Sequence, residues 1–116
     1  MNQQFPEIHA YKDSFDEAID EHLRLGQVYA QAKALSWKLQ QLEKSILASV
    51  ASQHIGSEAA KERMARCSKE YLTHIDGTCV AIERELQAKA EFDNADKEFE
   101  KLRSLCSLEK KQINLT

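Results

Sequence analysis

The stretch YLTHIDGTCVAIERELQAKAEFDNADKEFEKLRSLCSLEKKQI, residues 71–113, decides the fold. Its apolar residues begin at Leu72, Ile75, Cys79, Ile82 and Leu86, spaced by threes and fours, as one buried face of an amphipathic helix requires. The spacing carries across Gly77, so the helix is expected to continue through Asp76-Gly77-Thr78. A second set, Ala88, Phe92, Ala95, Phe99, Leu102 and Cys106, keeps threes and fours. At 100° per residue, Leu86 and Phe92 lie about 120° from coincidence, whereas a supercoil drifts only ~20° per heptad. The sequence therefore predicts a change of buried face between Leu86 and Phe92. Two arrangements account for it: a three-helix packing whose neighbours meet different sides, or a second half that contacts another chain. On the second, the change near Ala88 divides intrachain from interchain contacts, and Phe92, Phe99, Leu102 and Cys106 become candidate protein-interface residues.

A partner for this helix lies upstream. Tyr11, Phe15, Ala18, His22, Leu25, Val28, Ala32, Leu35, Leu39, Leu42, Ile46 and Val50 are again three or four apart, which implies a helix of ~40 residues, on the order of 60 Å long. It is expected over about 8–54, with Pro6 tolerated near its start. Gly26 inside it costs about 1 kcal/mol relative to Ala, and a close helix crossing there would account for it. The first helix should stop at His54-Ile55-Gly56-Ser57, with Gly56 in a left-handed position and Ser57 capping the next helix. That short helix is expected over about 58–66, and Ser68 caps a third over about 69–111 with Glu70 in its first turn. Residues from Gln112 to Thr116 should fray. The predicted fold is all-α: one domain, 1–116, with an antiparallel hairpin of two long helices, a short connecting helix, and association into a helical bundle.

Composition fits this. Of 116 residues, 30% are charged and 42% hydrophobic, with three glycines and one proline, which favours long helices over sheet. The net charge of −3 carries no overall nucleic-acid signature. Residues 1–24 are rich in acid (Glu7, Asp13, Asp16, Glu17, Asp20, Glu21) and residues 101–111 in base (Lys101, Arg103, Lys110, Lys111). Antiparallel pairing sets those ends side by side, and the signs suit a helix start and a helix finish. Cys67, Cys79 and Cys106 lack paired spacing, which points to a reducing compartment rather than a disulfide scaffold. The opening Met-Asn-Gln-Gln-Phe-Pro does not read as a signal peptide, and no apolar run approaches the ~18 residues of a membrane span. A cytoplasmic protein is expected.

No catalytic constellation or glycine-rich phosphate loop emerges, and no cofactor is expected. Cys67, His74 and Cys79 are spaced by seven and five, which sets no two ligands on adjacent helical turns, so no metal site is expected. His22, on the first stripe, reads as a packed, hydrogen-bonded core histidine. Arg63, Arg66 and Lys69, with Arg103 further on, are candidate phosphate contacts. Acidic neighbours dilute them and no aromatics interleave for base stacking, so a solvated charged surface is the preferred reading. Trp37 falls between the stripe positions Leu35 and Leu39. It is expected to be half exposed, either as an interface anchor or under the short helix.

Ser57-Glu58-Ala59-Ala60-Lys61-Glu62-Arg63, then Ser68, Glu70 and Tyr71, then Phe99, Leu102, Arg103 and Ser104 carry a resemblance. Over about residues 57–113 the chain is similar to small helical accessory proteins encoded in the early or recombination regions of bacteriophages and prophages. It departs from their pattern at Ser68-Lys69, where proline is often seen, and at Leu102, where tryptophan is common. The two long stripes, the lack of catalytic residues and the resemblance together point to a non-enzymatic accessory or adaptor protein, and the resemblance implies DNA recombination or host takeover as its context. Its partners would be a second copy and another protein, with Trp37 and Tyr71 joining the candidate interface. Other features give two alternatives. One is a weak nucleic-acid binder using Arg63, Arg66, Lys69 and Arg103. The other is a helical secretion chaperone or effector-like protein, although Trp37 lacks the glycine found two residues on in small secreted Trp-x-Gly hairpins.

Overall fold

The computed structural model describes residues 12–115, and the side chains of 12–113. Three helices account for nearly all of it: α1 (Lys12–Ala51), α2 (Glu58–Arg66) and α3 (Lys69–Leu115). There is no strand among the described residues. The expected beginning of α1 near Ile8, with Pro6 and Tyr11, and the last residue Thr116 lie outside the described residues. The described residues gather into two compact units, one of 12–29 and 88–115, the other of 30–87.

Local chemistry sets the helix ends. After α1 the amides of Gln53 and His54 reach the carbonyls of Val50 and Ala51 at 3.1 Å, a tightening turn that uses up the last carbonyls. Gly56 comes next with φ 137°, a backbone closed to other residues without strain. Ser57 is the N-cap of α2, its hydroxyl accepting from the Ala60 amide at 3.2 Å. Ser68 does the same for α3: its Oγ accepts from the Tyr71 amide at 3.2 Å and donates to the Ala65 carbonyl at 2.6 Å. The α3 helix passes through Gly77 unbroken and continues to Leu115, beyond the expected fraying at Gln112. Its last turn consequently holds no basic residue. Lys110 and Lys111 sit further in than the dipole-matching expectation required.

In the first unit α1 and α3 run antiparallel, since Phe15 stacks on Phe99 and His22 on Phe92. Leu25, Ala88 and Leu102 are its buried apolar residues. In the second unit the direction is again antiparallel, Glu43 meeting Tyr71 and Leu39 meeting His74. Val50, Ala65, Tyr71 and Ala81 are buried there, and so are the polar Ser36 and Thr78.

Candidate interaction surface

Burial along α3 keeps one three–four rhythm: Tyr71, His74, Thr78, Ala81, Glu85 and Ala88, then Phe92, Ala95, Phe99, Leu102, Cys106 and Glu109 are all buried or half-buried. This is the heptad seam of a two-helix packing, and it corrects the expectation of a change of face between Leu86 and Phe92. The stripe Leu72, Ile75, Cys79, Ile82 and Leu86 is not the seam. Leu72 is 49% exposed and Leu86 60%. Cys79 is exposed, and Ile75 and Ile82 are half-buried beside it. The two sets read from the sequence are indeed different stripes, but with their expected roles exchanged. The second set packs within the chain, and the first is turned outward.

On α1 most of the predicted stripe holds: Phe15, Ala18, His22, Leu25, Ala32, Leu39, Ile46 and Val50 are buried or half-buried. Val28, Leu35 and Leu42 belong to it yet are exposed. The half-buried Tyr29, the buried Ser36 and the half-buried Glu43 hold the seam instead. No apolar pattern announces a seam occupied by serine and glutamate. Phe15, His22, Tyr29, Ser36 and Glu43 lie seven residues apart along one line of this seam.

In the first unit the seam is aromatic. His22 lies against Phe92 and Phe99, ring centroids 4.9 and 5.2 Å away, and its Nε2 is 3.1 Å from Asp96 Oδ1. This is the packed, hydrogen-bonded histidine that the sequence suggested. Phe15 stacks on Phe99 at 5.4 Å, and Tyr29 tilts on Phe92 at 6.0 Å. Gly26 explains itself here: a Cβ at that position would stand 3.2 Å from Phe92 Cε1. The expected close crossing is present, and helix propensity has yielded to it. Of the candidate interface residues, Phe92, Phe99 and Leu102 are thus engaged inside the chain. Cys106 is half-buried and borders a hollow with Phe15 and Ile113.

In the second unit the seam mixes hydrogen-bonded polar residues with Leu39, Ile46, Val50 and Ala81. Tyr71, 6% exposed, donates its hydroxyl to Glu43 Oε1 at 2.8 Å. That hydrogen bond, with burial second, pushes the Tyr71 pKa up. His74 Nε2 donates to the Leu39 carbonyl at 2.9 Å, which fixes its tautomer. Thr78 Oγ1 donates to the His74 carbonyl at 2.9 Å, and the wholly buried Ser36 accepts from Gln40 Nε2 at 2.9 Å. These hydrogen bonds give the seam specificity beside its apolar members. Other apolar side chains stand at its flank. Trp37, one residue past Ser36, is 65% exposed, so the short helix does not cover it. Leu72 and Cys79 stand one residue past Tyr71 and Thr78. Because the helices run opposite ways, equivalent flanking positions share a side, so Trp37 and the Leu72–Leu86 stripe look out from one face of this unit.

Two of the four basic candidates, Arg66 and Arg103, are paired with acidic neighbours on their own helices. Arg66 donates to Glu62 at 2.8 Å, and that hydrogen bond holds its pKa further up. Arg103 pairs with Glu100 at 3.1 Å. Arg63 and Lys69 share the second unit with Arg66, whereas Arg103 belongs to the first. His74 is occupied by Leu39, and Cys67 and Cys79 are exposed free thiols. No cluster of three potential metal ligands occurs among the described residues, and no helix among them is long and apolar enough to cross a membrane. No family model matches this chain, and neither a curated protein nor a solved structure is found to be similar to it.

Proposed function

We propose that this chain is a non-enzymatic accessory or adaptor protein that works in the cytoplasm through helix-to-helix contact with protein partners. The observation that carries this reading is the division of labour in residues 30–87. The intrachain seam there sets Ser36, Glu43, His74 and Thr78 among Leu39, Ile46, Val50 and Ala81, while Trp37, Leu72, Cys79 and Leu86 are exposed. A continuous exposed apolar face is the usual mark of a binding surface, and aromatic anchors such as Trp37 are the side chains that dominate such contacts. The resemblance of residues 57–113 to phage and prophage accessory helices directs the search for a partner toward DNA recombination or host takeover.

The test is retention of partners by affinity capture from the expressing cell, with three baits compared. The wild type and the Arg63→Ala/Arg66→Ala variant should retain the same protein, and the Leu72→Asp/Leu86→Asp variant should lose it. Equal retention by all three, or no retention by any, contradicts the proposal.

A further inference from the structure

We infer that a second copy of this chain covers the outward stripe of α3, the two α3 helices lying antiparallel with Cys79 of each at the two-fold axis. This deepens the adaptor reading and rests on it. An isologous contact needs a surface that is complementary to itself, and the stripe has that property in its order of side chains. Outward from Cys79, Ile75 and then Leu72 lie on one side, Ile82 and then Leu86 on the other. Turned end for end, isoleucine meets isoleucine and leucine meets leucine, with the small thiol where the helices come closest. The spacings, four and seven residues one way, three and seven the other, keep all five on one helix face.

The stripe is about 21 Å long, and Trp37 on α1, 65% exposed, widens the face on which it lies. Leu72 and Leu86 at its two ends are 49% and 60% exposed, so apolar surface is left for a second copy to cover. Asp76 and Glu83, both exposed, line the edge of the stripe. In the antiparallel arrangement they approach their counterparts at the rim. That repulsion is screened by salt, so association should tighten as NaCl is raised.

Two measurements on the full chain test the pairing. In a Cys67→Ser/Cys106→Ser background, copper-phenanthroline as oxidant should join most chains through Cys79 into a species of twice the mass. Cys79→Ser in the otherwise native chain should abolish the rapid product. By sedimentation velocity the wild type should pass from monomer to dimer in the micromolar range typical of modest interfaces. Leu72→Asp/Leu86→Asp should stay monomeric at a tenfold higher concentration with its helical circular dichroism intact, since both positions are exposed. A wild type that stays monomeric at hundreds of micromolar, or a dimer that does not cross-link at Cys79, overturns the pairing. Retention of a foreign protein by the same face would then leave the adaptor reading standing.

Discussion

The two units are built on the same heptad rhythm and the same pair of helices, yet they differ in what the rhythm buries. In residues 12–29 and 88–115 the seam is a ladder of rings, Phe15, His22, Phe92 and Phe99, closed by Leu25 and Leu102. In residues 30–87 hydrogen-bonded polar residues alternate with Leu39, Ile46, Val50 and Ala81, while Trp37, Leu72 and Leu86 stand outside. The contrast teaches that seam position and apolar character are separate variables. Where they coincide, the pairing supplies its own stability. Where they part, the seam supplies register and apolar side chains are left exposed at the flank.

Substitutions in the two seams should separate most widely. Phe92→Ala removes the ring that packs on His22 and Tyr29, and is expected to cost about 2–4 kcal/mol in urea unfolding. A loss below about 0.5 kcal/mol would mean that the aromatic ladder is not a stabilising core. Gly26→Leu presses new carbons onto Phe92, whose Cε1 stands 3.2 Å from where a Cβ would begin. About 1–3 kcal/mol should be lost despite the gain in helix propensity, and a more stable variant would show that the crossing is loose. Ser36→Ala, at a position of 0% exposure in the mixed seam, should cost about 1 kcal/mol or less. It gives up one hydrogen bond, and the released Gln40 amide can turn to water. A full burial thus counts for less than a partial one, because of what is buried. Gly77→Ala, with nothing within 4 Å of the added Cβ, should gain about 0.5–1 kcal/mol; a loss in thermal melts would place a neighbour there.

The smallest effect concerns pH. Glu43 raises the Tyr71 pKa above its ordinary value, which is about 10. The neutral phenol is therefore favoured by folding. Its contribution is complete below the unfolded-state pKa and is lost as pH rises through the higher folded-state value. Tyr71→Phe lacks this loss. The stability gap between wild type and variant should narrow above pH ~10 and stay flat from pH 7 to 9 in melts monitored by circular dichroism. A gap that widens with pH would reverse the sign and remove the hydrogen bond to Glu43.

Much of the architecture was legible before the structure. Serines at positions 57 and 68 announced caps because their hydroxyls compete for free amides, and Gly56 announced the turn between them. Gly26 announced a close approach. In residues 30–87 the seam was legible on α1 only at Ala32, Leu39, Ile46 and Val50, and on α3 it was missed, because an apolar-periodicity reading also tracks Leu35, Leu42, Leu72 and Leu86, and those residues report the flank. Only antiparallel pairing of Glu43 with Tyr71, a contact between residues far apart in sequence, reveals which face is inside. In the other unit the rings sit on the seam, so Phe92, Phe99 and Leu102 were correctly grouped as one stripe, although the structure engages them with α1.

The most direct test of this division is urea unfolding of Phe99→Asp and Leu86→Asp beside the wild type, at a concentration low enough that chains are separate. A charge at Phe99 enters the ring ladder against Phe15 and His22 and should cost about 3 kcal/mol or more. A charge at Leu86, 60% exposed, should leave stability within about 0.5 kcal/mol of wild type. If Leu86→Asp proves as damaging as Phe99→Asp in the dilute chain, the outward stripe belongs to the chain's own core and the account fails.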